Sequence, residues 1–281
     1  MTLTDAVLTA DRVLSADLRG SSWPVVVDTA AGPRFTKLRG AGQGTLPFIA
    51  EIVVASIAES IGLEVPARCL VSIPPAIESL NRRDELRDLL DASAGLNLGF
   101  SYLDGARMFA PADVDRVSTD DAAAIVWLDA LVMNPDRTAR NPNMMWWRDR
   151  LWLIDHGAAF AFQYSWPDVT ESAPRRPFRT NEPHILQRRA GDIAEWDEVL
   201  ASRVTREVLV RAVAEVPDDF LAASVPGSPD AVAIERRRAA YVAYLWKRLA
   251  APREFYQSLA TESEPRPRAR PAWIEAGRRR S

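Results

Sequence analysis

Acidic and amide side chains are clustered in the middle of the chain. Asp136 and Asn141 are separated by four residues. Asn143 follows two positions later, and Asp155 comes after a short β-prone stretch. Carboxylate and amide oxygens are ligands for hard cations such as Mg²⁺, whereas zinc prefers histidine and cysteine. These residue types therefore predict a magnesium-dependent reaction, and the Asp-x4-Asn spacing is that of a phosphoryl-transfer loop.

A predicted hairpin must bring these residues together. Residues 144–147 and 151–154 are β-prone and are joined by Arg148, Asp149 and Arg150, so we expect them to pair as antiparallel strands. The residue before the first strand then lies beside the residue after the second, about 5 Å away across the ladder. The two asparagines should therefore converge with the aspartate that follows the hairpin.

A lysine and a glutamate complete the set that phosphoryl transfer needs. Lys37 is one of only two lysines in a chain that otherwise uses arginine. It lies in a predicted strand directly before a helix that starts at Thr45 as its N-cap and carries Glu51. This order places a strand lysine against a helix carboxylate. Two alternatives stay open: Lys37 is a solvated strand residue, or Glu59 on the same helix takes the place of Glu51.

The pattern along the whole chain predicts an α+β fold. The further predicted elements are strands at 24–28, 35–38 and 68–73, an amphipathic helix at 45–62, a charged helix at 76–92, an extended apolar stretch at 96–103, an apolar helix at 122–133 capped by Ser118, and helices between 185 and 258. Together with the Asp-x4-Asn spacing of a kinase catalytic loop, this pattern predicts a two-lobed protein-kinase-like fold, with a small β-rich N-lobe that has one long helix (1–105) and a mostly helical C-lobe (106–258). Residues 259–281 are predicted to form a disordered tail.

Composition restricts the classes of partner and location. The 281 residues, 47% of them hydrophobic, suffice for a buried core. A net charge of −3 and a pI near 5.6 give no reason to expect direct nucleic-acid binding. The single cysteine, Cys69, cannot form an internal disulfide. No apolar run approaches the ~18 residues of a membrane span, and the N-terminal residues do not read as a signal peptide, so we expect a cytoplasmic protein.

Three segments resemble the HipA-like kinase family. They are residues 35–40 (FTKLRG), 134–143 (NPDRTARNPN) and 151–157 (LWLIDHG), and the likeness extends over most of residues 15–255. The resemblance implies ATP, Mg²⁺ and transfer to a hydroxyl of a protein or peptide Ser/Thr. A small-molecule kinase and a non-catalytic nucleotide-binding module, a pseudokinase or scaffold, are the alternatives. The extra N-terminal subdomain of the HipA toxins is not found here, so neither a toxin role nor an antitoxin partner is implied.

The resemblance also implies roles for individual residues. It implies Asp136 as general base, Asn141 and Asp155 as metal ligands, and Lys37 with Glu51 as the phosphate-binding pair. It implies Phe100 and Leu103 as nucleotide contacts within a hinge at 95–105. Ser21 and Ser22 would lie in a nucleotide-covering segment where the enzyme could phosphorylate itself. Acceptor specificity is expected in residues 162–189 and the helices after them.

Simpler explanations exist for several of these features. Asparagine and aspartate often serve only to bend the backbone at turns. The glycine-rich residues 39–44 are either a phosphate cradle at a helix N-terminus or a plain loop. Residues 20–23 are either a nucleotide-covering segment or a plain loop. His156 is expected to be a packed turn residue, and His184 a structural one. The tryptophans should pack the core.

Overall fold

Most strands lie in the N-terminal part of the chain and most helices in the C-terminal part, as the predicted α+β fold requires. The computed structural model describes residues 3–16, 23–42, 44–81 and 83–257. The strands are β1 (Thr4–Ala16), β2 (Val25–Thr29), β3 (Arg34–Lys37), β4 (Arg68–Ile73), β5 (Glu78–Ser79), β6 (Gly95–Ser101), β7 (Arg107–Met108), β8 (Met144–Trp147) and β9 (Arg150–Leu153). The helices are α1 (Leu46–Ser60), α2 (Asp84–Ala92), α3 (Thr119–Val132), α4 (Ala194–Arg203), α5 (Arg206–Ala214), α6 (Asp218–Ala222) and α7 (Ala231–Leu249).

Five strands close into a small barrel. Their order is β2-β3-β6-β4-β1, and β1 also pairs with β2, which completes the ring. Alternate residues such as Val13, Val25, Val27 and Val71 point inward and form an apolar cluster of their own. Strand β1 was not predicted, because its parallel partner β4 lies far away along the chain.

Helix α1 lies at the centre of the molecule. It was predicted to be amphipathic, but all of its residues from Phe48 to Ala58 except Ser56 are buried, because it also packs against α5 and α6. Its buried residues share one core with α3, α5 and α7. Thr45 precedes the helix as predicted, but its hydroxyl donates to the Phe220 carbonyl at 3.3 Å instead of capping α1.

Two predicted segments in the N-terminal part were wrong in extent. The charged helix begins at Asp84 rather than at residue 76, because Glu78 and Ser79 pair with β1 and Ala76 has a positive φ of 55°. The proposed hinge at 95–105 is mostly strand β6, which pairs with β3 and β4 as one of the barrel strands. The residues after Ser101 lead from the barrel to β7, and the domain boundary at residue 105 stays a prediction.

The elements around the acidic loop form largely as predicted. The Ser118 hydroxyl accepts a hydrogen bond from the Asp121 N–H at 3.0 Å and so caps α3. Strands β8 and β9 pair as an antiparallel hairpin. Its turn lies at Arg148 and Asp149, which both have positive φ. Arg150 therefore belongs to β9 and pairs with Trp147, one residue earlier than predicted.

The helices of the C-terminal part complete the fold. Helices α4 to α7 lie within the predicted helical region, and α7 packs against α5 and α6. Within the described parts of the chain, no helix has both the length and the apolar character needed to cross a membrane. Residues 259–281, predicted to be a tail, lie outside the described residues.

Candidate active site

Lys37 and Glu51 form a buried ion pair. Lys37 is the last residue of β3, and Glu51 lies in the middle of α1. The Lys37 Nζ contacts a Glu51 carboxylate oxygen and lies 2.6 Å from Asp155 Oδ1. Glu59, the alternative partner, is paired with Arg68 at 2.9 Å instead. The predicted contact between strand lysine and helix carboxylate is therefore present, and it extends to Asp155.

The groups of this cluster shift one another's pKa values. Burial alone would lower the pKa of Lys37, but the charges of Glu51 and Asp155 outweigh burial and raise it above its ordinary value. The Lys37 charge lowers the pKa of Asp155 against the effect of burial. Burial raises the pKa of Glu51, the Lys37 charge opposes that shift only in part, and the Asp155 charge adds to it. The cluster therefore presents a fixed ammonium group between two carboxylates.

Glu51 also holds the turn that follows Asp155. Its two carboxylate oxygens accept the backbone N–H groups of His156 and Gly157, both at 3.0 Å. A Cβ added at Gly157 would lie 3.1 Å from Pro47 Cβ and 3.4 Å from Glu51 Oε1. The Asp-His-Gly turn thus approaches α1 so closely that a side chain at its third position would require Pro47 to shift, which favours glycine there.

The loop after α3 arranges two asparagines around Asp136. The Asn141 Nδ2 donates to Asp136 Oδ2 at 2.8 Å. The Asn143 Nδ2 donates to the Asp136 backbone carbonyl at 3.0 Å, and Asn143 is buried with a φ of 48°. The Asn134 Oδ1 accepts the Asp136 N–H at 3.1 Å. Asn143 and Asn134 therefore shape the loop, while Asn141 is exposed beside the Asp136 carboxylate.

One cavity of about 560 Å³ gathers the predicted residues. Its walls include Lys37, Glu51, Phe100, Leu103, Asp136, Asn141 and Asp155. The remaining wall is largely apolar, with Met145 and Leu153 from the hairpin among its residues. Ser21 and Ser22 lie outside the described residues, so the structure does not place them.

The described residues of the glycine-rich loop after β3, 39–42 and 44, do not line this cavity. The Arg39 N–H donates to Asn97 Oδ1 at 2.8 Å, and the Gly40 N–H donates to Ser93 Oγ at 3.1 Å. Two of its N–H groups are therefore already bonded to side chains of the protein. These contacts favour the plain-loop alternative over a phosphate cradle.

The oxygen donors at the cavity suit a hard cation. Asp155 keeps its side chain 43% exposed while Oδ1 contacts Lys37, and it adopts a φ of 56°. Asn141 donates its amide nitrogen to Asp136, which leaves its Oδ1 for another partner. Across the described ranges, no group of three or more His, Cys, Asp and Glu residues could hold a metal. Two oxygen ligands fit Mg²⁺, which is usually bound by one or two carboxylates together with phosphates.

Sequence reasoning missed a buried network behind the loop. Arg137, which follows the candidate base directly, is fully buried and pairs with Asp129 of α3 at 2.6 Å. His184 Nε2 lies 2.9 Å from the same carboxylate. His156 is buried as expected, and burial together with the Arg137 charge lowers its pKa to about 3. The one available signal was an aspartate at position 129 within an otherwise apolar helix.

Comparisons with known proteins bear on the family and the fold. The family model described as HipA-like kinase matches residues 16–223, more than half of the chain. Among solved structures, the fold is similar to the crystal structure of a Helicobacter pylori proinflammatory kinase, CtkA, with a TM-score of 0.51 and 9% identity. That match covers 87% of this chain and 98% of the other. At this identity the likeness concerns the fold alone. No curated protein matches the sequence.

Proposed function

Because the chain belongs to the HipA-like kinase family and is therefore a phosphotransferase that binds ATP, we propose that it transfers the γ-phosphate, with Mg²⁺, to a hydroxyl of a protein or peptide Ser/Thr. One observation carries the proposal. Lys37, Glu51, Asp136, Asn141 and Asp155 come from separate segments of the chain and line the same cavity. These are the groups that phosphoryl transfer needs.

Asp136 is the general base in this proposal. One of its carboxylate oxygens is held by the Asn141 amide, and the other is left to accept the proton of the acceptor hydroxyl. The hydroxyl oxygen then forms a bond to the γ-phosphorus, and the bond from that phosphorus to the β,γ-bridging oxygen breaks. ADP leaves with the electron pair of the broken bond.

Lys37 binds the phosphates. An ammonium group has three donors, of which two contact Glu51 and Asp155, so the third is left for a phosphate oxygen. Asp155 and Asn141 would hold Mg²⁺, which neutralises the charge of the phosphate oxygens when it is bound. Phe100 and Leu103 lie on the same wall and offer an apolar surface for the nucleotide base.

The two-lobed organisation is part of the same proposal. The nucleotide would lie between residues 1–105 and residues 106–258, with the segment after Ser101 as their connection. The wall supports this placement, because it combines barrel residues such as Lys37 with hairpin residues such as Leu153.

The test is ADP release by the purified chain with Mg²⁺ and ATP, alone, with dephosphorylated casein, and with small hydroxyl compounds. Asp155→Asn should lower turnover about 100-fold or more, since a charged ligand is lost at nearly constant volume. Asp149→Asn is the matched control, because it is the same change at the exposed far end of the hairpin, and it should stay within about threefold of wild type. Absence of ADP release from wild type would favour a non-catalytic nucleotide-binding module. Turnover with small compounds alone would overturn the protein acceptor.

A further inference from the structure

A buried arginine lies directly behind the candidate base. Arg137 follows Asp136 in the chain, yet its side chain is 0% exposed. Its Nε donates to Asp129 Oδ2 at 2.6 Å, its Nη1 donates to the Asn143 carbonyl, and its Nη2 lies 3.5 Å from His156 Nδ1. One guanidinium therefore contacts helix α3, the residue before β8 and the turn that follows Asp155.

Asp129 anchors this guanidinium. Its carboxylate also accepts hydrogen bonds from His184 Nε2 at 2.9 Å and from Asn134 Nδ2 at 3.1 Å. Burial opposes ionisation, but Arg137 and His184 outweigh it and hold the pKa of Asp129 well below its usual range. A buried ion pair contributes little net stability, because desolvation of both charges offsets their attraction. Its satisfied hydrogen bonds instead select one arrangement of the groups around it.

The contacts of Arg137 reach both sides of the candidate site. The Asn143 carbonyl that accepts from Arg137 also accepts the Ile154 N–H at 3.1 Å, so it lies at the open end of the hairpin from which Asp155 emerges. The Asn143 amide in turn holds the backbone of Asp136. A shift of the guanidinium would therefore change the separation between the base and Asp155.

The segment around His184, which lies in the region expected to set acceptor specificity, is bonded to the same loop. The Ile185 N–H donates to the Arg137 carbonyl at 3.0 Å, and Thr138 and His184 form an isolated antiparallel bridge. His184 brings its ring to Asp129 from this segment. The segment around His184 is thus fixed against the loop that carries Asp136.

We infer that Arg137, anchored by Asp129, is a positioning residue that sets the distance of Asp136 and Asn141 from Asp155. The inference rests on the proposed function for its effect on turnover. Lysine cannot replace this arginine, because its ammonium is a point charge and not a planar fork with fixed donor directions.

The test compares Arg137→Lys with Arg68→Lys. Arg68 is the matched control: it is also 0% exposed in its side chain and pairs with a carboxylate, Glu59, at 2.9 Å. Both variants should lower the melting temperature. Only Arg137→Lys should lower kcat for Mg²⁺-ATP turnover, by about 10- to 100-fold, with KM for ATP within about threefold of wild type. An equal loss of kcat in both variants, or a wild-type kcat in Arg137→Lys, would overturn the inference.

Hydrogen exchange separates this inference from the proposed function. In Arg137→Lys, amide exchange should become faster in peptides covering residues 134–143 and 154–157, while Arg68→Lys should leave these peptides unchanged. Unchanged exchange in Arg137→Lys would refute the positioning role whether or not the wild type turns over ATP. If Arg137→Lys does not fold, the double variant Asp129→Asn with Arg137→Gln removes both buried charges together. It should fold and show the same faster exchange, and normal exchange there would count against the inference.

Discussion

The Glu51 carboxylate accepts the Gly157 backbone N–H at 3.0 Å, although the two residues are 106 positions apart. The same carboxylate holds the Lys37 ammonium and the His156 N–H. Helix α1 is therefore bonded both to the barrel strand that carries the lysine and to the turn that carries Asp155. A displacement of α1 would move both groups at once, so this one side chain aligns the two halves of the candidate site.

The first prediction concerns the buried pair. Lys37→Met should abolish most ATP turnover and lower the free energy of unfolding by about 3–5 kcal/mol, because it leaves the Glu51 charge buried without its cation. The double variant with Glu51→Gln should be more stable than Lys37→Met alone and equally inactive. Urea unfolding and ADP release measure the two effects. If the losses of turnover from the two single variants simply add, the residues do not act as a pair.

The second prediction separates the two asparagines. Asn141→Ala should leave the melting temperature close to wild type and reduce turnover strongly, because Asn141 is exposed and bonds only locally around Asp136. Asn143→Ala should destabilise the fold by about 1–3 kcal/mol, since it loses a buried hydrogen bond and places alanine at a positive φ. Thermal unfolding and ADP release distinguish these outcomes. A larger loss of stability in Asn141→Ala would mean that their assignments are reversed.

The third prediction concerns the close approach of Gly157 to α1. Gly157→Ala should lower turnover, because the new methyl group lies against Pro47 and Glu51 and displaces the turn that carries Asp155. Gly32→Ala is the control, since Gly32 has nothing within 4 Å of its added Cβ and a φ of 86°. Gly32→Ala should lower the free energy of unfolding by about 1–2 kcal/mol through backbone strain and leave turnover per folded molecule unchanged. Equal turnover in the two variants would contradict the role given to the close contact.

The fourth prediction is a pH dependence of stability through His184. Burial lowers the pKa of His184, Asp129 partly counteracts the shift and Arg137 adds to it. Below pH ~6.5 the unfolded chain therefore binds the proton more readily than the folded chain. The stability that neutral His184 contributes is complete above that pH and is lost as the pH falls towards the folded pKa, by at most about 1.4 kcal/mol per pH unit.

His184→Gln gives the control for this prediction. It retains an amide donor for Asp129 but cannot titrate, so its free energy of unfolding should fall less steeply below pH ~6.5 than that of wild type. His156 is present in both proteins, and its own contribution therefore cancels in the comparison. Urea unfolding at a series of pH values measures the slopes. Parallel slopes in the two proteins would show that His184 is not responsible.

The features that are encoded within short segments could be predicted from the sequence alone. The Ser118 cap of α3 and the hairpin of β8 and β9 depend on turn chemistry and on alternation over a few residues. Hairpin geometry then placed Asp155 beside the asparagine loop, and the order of strand and helix placed Lys37 beside Glu51.

Features that depend on contacts between residues far apart in the sequence could be seen only in the tertiary structure. Strand β1 pairs with β4 and closes the barrel, and α1 packs against α5 and α6, which come more than a hundred residues later. Glu51, and not Glu59, is the partner of Lys37, because Glu59 pairs with Arg68 instead. Arg137 lies in a polar loop, where an arginine is expected to be solvated. It is buried because Asp129, Asn143 and His156 converge on it from separate elements and offset the cost of removing its charge from water.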